Sequence, residues 1–310
     1  MGIIAVAIAA TGTAGNGCRQ GRGETTGTGS GTGTGTGSGT GTGSGTGSGS
    51  GSADGGRVTI ATADGWTIAG WVRRGEMPGA VVLVHQLSSN HTEWATLLGR
   101  LHASREPRER PTTLAIDLRG HGESTHGPQG TTNWQSFGSS TTLWAGVVTD
   151  VGAAVRYLRN DVPGAANVPV VIIGSSIGSS AALRYAAGDP GVIGVVMLSP
   201  GTSYRGLDTL EPIARLAASG RGALLIAGSG DAPSAQAVSA LTSRVGGANL
   251  VRAVVYDGTG AHGVSLGAPG AHPEMWDNVE TWARSAIRPP APVAATRSDA
   301  GAGSDAASVR

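Results

Sequence analysis

Along residues 57–287 the apolar positions switch between two spacings, and the switching outlines a succession of elements. Residues 57–73 (RVTIATADGWTIAGWVR) alternate apolar and polar positions on either side of Asp64-Gly65, a tight-turn pair, which predicts a β-hairpin. Beyond it, short apolar runs predict buried strands at 79–85 (GAVVLVH) and 170–173 (VVII), and further strands at 112–117 (TTLAID), 192–199 (VIGVVMLS), 223–228 (ALLIAG) and 250–257 (LVRAVVYD). Between these runs the spacing becomes helical. Trp94, Leu97, Leu98 and Leu101 mark a helix over 92–104, and Trp144, Val147, Val148, Val151, Val155 and Leu158 form one stripe of a helix over 144–159. Small residues with helix propensity follow the 170–173 run, and further helices are expected at 207–219, 234–246 and 273–287. A hairpin followed by strand–helix alternation implies an α/β fold: a mostly parallel sheet with an N-terminal antiparallel hairpin and helices on both faces. Such sheets bind ligands at the carboxyl ends of their strands.

Composition narrows this picture to part of the chain. Residues 19–56 are dominated by Gly, Ser and Thr and cannot bury apolar surface, so they read as a disordered tether. Residues 291–310 lack apolar periodicity and read as a loose tail. The remainder, 57–290, is long enough for one α/β domain. With 22 basic and 21 acidic residues and no basic run, a phosphate-neutralising surface for nucleic acid is not expected. No stretch reaches the roughly 18 apolar residues of a membrane-spanning helix.

The single cysteine, Cys18, rules out an intramolecular disulfide. It follows an apolar run (IIAVAIAA, 3–10) and small residues, and it directly precedes the tether. Residues 1–18 thus resemble a bacterial lipoprotein signal, although no Lys or Arg precedes the apolar run and Gly15 replaces the usual leucine. That resemblance implies lipidation at Cys18 and a place in the cell envelope, anchored to a membrane or secreted, rather than in the cytoplasm. The 34 residues 23–56 of this tether would span about 30–35 Å, enough to hold a domain clear of a membrane surface.

The candidate chemistry begins at the strand 170–173, which runs into Gly174-Ser175-Ser176-Ile177-Gly178. This is G-x-S-x-G between a strand and a helix, a turn sharp enough to hold a serine hydroxyl above the sheet. Asp231 follows the strand 223–228, and His262 follows the last strand. A serine hydroxyl needs a general base, and the base needs a carboxylate to fix its tautomer; the three residues supply these parts in the order serine, acid, histidine. Asp257, Asp117 and His272 are rivals for the acid and base. His85 and His121 are expected to shape loops, while Asn90, His91, Tyr204 and Arg205 are candidates for the pocket mouth.

Five stretches occur in the order found in α/β-hydrolases: VVLVHQL (81–87), AIDLRGHGES (115–124), VIIGSSIGSS (171–180), LLIAGSGD (224–231) and GTGAHG (258–263). On these, residues 57–290 resemble the α/β-hydrolase superfamily, and within it the dienelactone-hydrolase-like esterases and serine aminopeptidase-like hydrolases. The resemblance implies Ser176 as nucleophile, Asp231 and His262 as its partners, and an oxyanion hole made by the backbone N–H groups of Ile177 and Leu87. The family usually reads His-Gly where this chain has His85-Gln86, which leaves the geometry of the Leu87 donor to be seen. The 23 residues 200–222, where a lid would sit, have room for one helix and a loop, so a short lid is expected. A serine nucleophile implies hydrolysis of a small ester, thioester or other acyl substrate without metal or cofactor. A peptidase or amidase using the same residues, and a surface module that has lost catalysis, remain as alternatives.

Overall fold

The computed structural model describes residues 55–246 and 249–288. The expected signal segment with Cys18, the tail 291–310 and nearly all of the tether lie outside the described residues. The hairpin starts two residues before the expected boundary: β1 (Gly55–Ala61) pairs antiparallel with β2 (Thr67–Arg73), with Gly55 opposite Arg73. Its turn is held by the Thr62 hydroxyl, which donates to Asp64 Oδ1 (2.6 Å) and accepts the Trp66 N–H (2.8 Å).

The apolar runs form β3 (Ala80–Val84), β4 (Thr112–Ile116), β7 (Val170–Ser175), β8 (Val192–Leu198), β11 (Gly222–Gly228) and β12 (Val251–Tyr256). Two minimal hairpins lie between them, β5 (His126–Gly127) with β6 (Gly130–Thr131), and β9 (Ser203–Tyr204) with β10 (Leu207–Asp208). The sheet order is β12-β11-β8-β7-β3-β4-β2-β5-β6, with β1 beside β2. The strands from β4 to β12 along this order run parallel, and β2 is antiparallel to β4.

The helices are α1 (Ala95–Leu101), α2 (Thr141–Asp161), α3 (Ile177–Ala186), α4 (Leu210–Ala218), α5 (Ala232–Arg244) and α6 (Met275–Ile287). Burial on both faces explains the apolar runs of β3, β4, β7, β8 and β11, whereas the edge strand β12 leaves Arg252, Ala253 and Val255 exposed. Val82, Val84, Ile172 and Leu225 pack in one cluster with side chains of α2, α3, α4 and α5. Their neighbours Val81, Leu83, Ile173 and Leu224 pack in the other with α1 and α6.

Element ends differ from expectation for local reasons. The first helix is shorter than 92–104, because residues 91–94 form a 3-10 turn capped by Asn90, whose side chain accepts the Thr92 N–H. Helix α2 starts earlier because the Ser140 hydroxyl accepts the Leu143 N–H (3.3 Å) and caps it. Helix α4 starts late because 207–208 pair as a strand, so the lid segment is a small hairpin plus one helix. No described helix is long and apolar enough to cross a membrane.

Candidate active site

Strand β3 pairs with β4 on one side and β7 on the other, with Val84 opposite both Ile116 and Gly174. The chain therefore reverses its direction of sheet-building at β3, and the carboxyl ends of β3 and β7 lie side by side. That is the crevice where open α/β sheets hold ligands. The loop after β3 carries Leu87, and the turn after β7 carries Ser176.

Ser176 has φ 51° and ψ −116°, a backbone region that side chains rarely occupy. Its N–H donates to Leu198 O (2.8 Å), tying the turn to β8. The flanking glycines are required by close approach. A Cβ on Gly174 would lie 2.4 Å from Gly178 O, and one on Gly178 would lie 2.3 Å from Val84 O and 2.5 Å from His85 O. The start of α3 is thus pressed against the end of β3, which leaves no room for a side chain between them.

Asp231 and His262 are brought together: His262 Nδ1 is 2.7 Å from Asp231 Oδ2. Their loops are stitched by backbone. Ser229 N–H donates to Tyr256 O and Gly230 N–H to Thr259 O, both at 2.8 Å. The Gly263 N–H donates to the buried Ser199 hydroxyl (2.8 Å), so the histidine loop is also fixed to the end of β8. Burial pushes the Asp231 carboxyl up. The neighbouring Ser234 hydroxyl, His262 ring and Ser199 hydroxyl more than reverse that and hold it below the usual carboxylate value. Asp231 is therefore charged at neutral pH, and its bond leaves Nδ1–H as the donor and Nε2 as the free nitrogen of His262.

Ser176, Asp231, His262, Leu87 and Ile177 all line one cleft of about 530 Å³. Among the described residues no hydrogen bond joins the Ser176 hydroxyl to the His262 ring; such bonds tighten when substrate is bound. Neither the Leu87 nor the Ile177 N–H donates to an acceptor among the described residues, and Ile177 opens helix α3, whose dipole favours negative charge there. Gln86 is not a positive-φ residue of this loop. The left-handed residue of the loop is Ser88, with φ 62°, so the freedom of glycine is not needed at 86.

The rivals are drawn elsewhere. His272 pairs with Glu274 (2.8 Å) and with the backbone carbonyl of Asp257 (3.0 Å), away from the cleft wall. Asp117 is fully buried and accepts from the His91 N–H, the His91 ring and the Glu123 N–H, organising two loops. Asn90 and His91 do not reach the cleft: Asn90 caps a turn and the His91 ring stacks on Trp71 with centroids 3.2 Å apart. His85 donates from Nδ1 to Gln86 O (2.6 Å) and accepts the Leu118 N–H at Nε2 (2.9 Å). Burial and the charge of His121 lower its pKa to about 3, so it stays neutral. His121 bonds Arg119 O (2.9 Å) and stacks on Trp134. Of the lid pair, Tyr204 lines the cleft, whereas Arg205 turns to Gly138 O (3.2 Å) and lies over Trp144.

Three supporting residues escaped the sequence reading. Ser199 and Ser234 stand beside Asp231, and Glu93 lies behind the loop after β3. Glu93 Oε1 accepts the Gln86 N–H (3.1 Å), and burial raises its pKa to about 7. Ser199 was visible only as a strand end, and nothing local marks the other two.

A family model described as serine aminopeptidase, S33, matches residues 75–243 of the chain. Among curated proteins none matches the sequence. Solved structures do. An esterase of Pyrococcus furiosus is similar at 19% identity over 75% of this chain and 91% of its own, with a TM-score of 0.57. A thermostable carboxyl esterase of Bacillus coagulans is similar at 13% identity over 76% of this chain and all of its own, with a TM-score of 0.59. A dienelactone hydrolase of Anabaena variabilis is similar at 18% identity over 76% of this chain and all of its own, with a TM-score of 0.55. At these identities the likeness shows the fold, and the fold is that of the α/β-hydrolases.

Proposed function

We propose that this chain, which belongs to the serine aminopeptidase S33 family of α/β-hydrolases, hydrolyses carboxylic esters or thioesters through an acyl-enzyme on Ser176. The observation that carries the proposal is the Asp231–His262 pair on the same cleft as a strained serine and two free backbone N–H groups.

In this reading the Ser176 hydroxyl attacks the carbonyl carbon while His262 Nε2 takes its proton. Asp231 keeps the ring in the needed tautomer and stabilises the imidazolium. The Leu87 and Ile177 N–H groups receive the negative oxygen of the tetrahedral intermediate. His262 then returns the proton to the departing alcohol or thiol, leaving the acyl group on Ser176. Water, deprotonated by the same ring, attacks the acyl-enzyme, and collapse of the second intermediate frees the acid and restores the serine.

The cleft walls favour an uncharged acyl group. Asp231 is the only carboxylate among the lining residues, and it is engaged by His262. Nothing there offers a counter-charge to a free α-ammonium group, which an aminopeptidase substrate carries. The amidase reading keeps the support of the family model's description, and it needs no other residues.

The test is labelling of the full chain by a fluorophosphonate, wild type beside Ser176→Ala, with turnover of p-nitrophenyl acetate, butyrate and palmitate and of a matched anilide. The expected result is labelling that disappears in the variant, with acetate and butyrate ahead of palmitate and the ester ahead of the anilide. A folded wild type that takes no label and turns over none of them refutes the proposal and favours a binding module. We place the domain at a membrane surface through lipid on Cys18, and loss of metabolic lipid labelling in Cys18→Ser is the expected outcome.

A further inference from the structure

The side chain of Gln86 lies against the chain neighbours of Ser176 and His262. Its Oε1 accepts a hydrogen bond from the Ser175 hydroxyl (3.2 Å), and Ser175 immediately precedes Ser176. On the same side lies Gly263, immediately after His262. A Cβ there would stand 2.1 Å from Gln86 Oε1 and 2.3 Å from Ser175 Oγ, so the histidine loop rests directly on this contact. The residue after Gln86 is Leu87, the second backbone donor. The glutamine cannot slide along its own loop, since its N–H is tied to Glu93 and its carbonyl oxygen takes the His85 ring N–H. Nor can the histidine loop follow freely, since the Gly263 N–H is held by Ser199.

We propose that the Gln86 carboxamide is a positioning residue for the hydrolytic reaction: a spacer between the turn carrying Ser176 and the loop carrying His262. The proposal rests on the serine-hydrolase reading. A glycine at 86 would leave a gap where Oε1 now separates the two segments. Here the room for the larger side chain comes from the missing Cβ of Gly263. Proton transfer from Ser176 to His262 depends on their separation, and a displacement of about 1 Å in such a site lowers rate on the order of 100-fold.

The test pairs two substitutions that break the same contact from opposite ends. Gln86→Met keeps the length of the side chain and removes the acceptor; Ser175→Ala removes the donor. Each is expected to lower kcat on p-nitrophenyl acetate about 10- to 100-fold with KM within about twofold, and to slow fluorophosphonate labelling by the same factor. The double variant is expected to fall no further than the worse single one, because both remove one interaction. Variants that lose only thermal stability and keep kcat within about twofold of wild type overturn the proposal, as do losses that multiply in the double variant. If Gln86→Met fails to fold, Ser175→Ala alone carries the comparison. A wild type that takes no label removes the hydrolase reading and this proposal together; a labelled wild type with unaffected variants removes this proposal alone.

Discussion

The backbone of Ser176 predicts a trade between stability and activity that can be measured by replacing one atom group. At φ 51° and ψ −116° a residue with a Cβ stores strain on the order of 1–3 kcal/mol, and glycine stores almost none. Two variants isolate that strain. Ser176→Ala and Ser176→Gly both lose the hydroxyl, which has no partner among the described residues, and they differ only by the Cβ. Glycine gives back about 0.5–1 kcal/mol through the larger freedom of its unfolded chain. The net expectation is that Ser176→Gly is more stable than Ser176→Ala by about 0.5–2 kcal/mol. In a domain of this size that corresponds to a Tm difference of about 1–8 °C. Urea unfolding of the full chains, followed by the fluorescence of its seven tryptophans, reads the difference directly. Both variants should be inert to a fluorophosphonate. A Gly variant that is no more stable than the Ala variant would refute the reasoning, because the turn would then hold its shape at no cost.

Stability should fall on acidification from about pH 6.5. Burial lowers His85 to about 3 and His102 to about 4 from an ordinary 6.5, so the unfolded chain binds more protons in that window. Each histidine takes up to about 1.4 kcal/mol per pH unit until its folded value is reached. Glu93 opposes this: raised by burial from 4.5 to about 7, it contributes most below 4.5 and loses its contribution as pH rises to 7. Glu93→Gln should therefore steepen the acid loss, and urea midpoints that stay flat from about pH 6.5 to about pH 5 in that variant would contradict the assignment. Asp150→Ala leaves Arg119, 1% exposed, without its buried carboxylate and should cost about 3–5 kcal/mol by chemical denaturation. Gly178→Ala drives a methyl into the Val84 and His85 carbonyls; a loss of about 1–3 kcal/mol with slower labelling of Ser176 is expected, and an unchanged labelling rate would count against the close approach.

Strand identities and sheet class were legible because burial on both faces leaves an unbroken apolar run, as in residues 170–173. The candidate triad was legible because each member follows such a run, where a short loop has few places to go. The two-residue strands β5, β6, β9 and β10 were not legible, because alternation over two positions carries no period. Nor was the cluster in which Arg119 bonds both Asp150 and Asp64. Asp150 sits on the inner face of α2 at a position the helical spacing leaves polar, and only the tertiary structure shows that its partner lies 31 residues away.

Contacts of the same kind separate Asp231 from Asp257 and His262 from His272. All four residues follow the last two strands, and their positions favour Asp231 and His262: Asp257 lies only five residues before His262, and His272 directly precedes the helix expected at 273–287. Gly228, Ser229 and Gly230, whose backbone runs close beside the loop 258–261, bring Asp231 to His262. His272 is withdrawn by Glu274 and stacks on Tyr256. The glycines around Asp231 and His262 therefore do more than permit turns. A side chain at Gly230 would meet Thr259 O at 2.7 Å, so the approach of these two loops, and with it the Asp231–His262 bond, depends on the absence of a Cβ there.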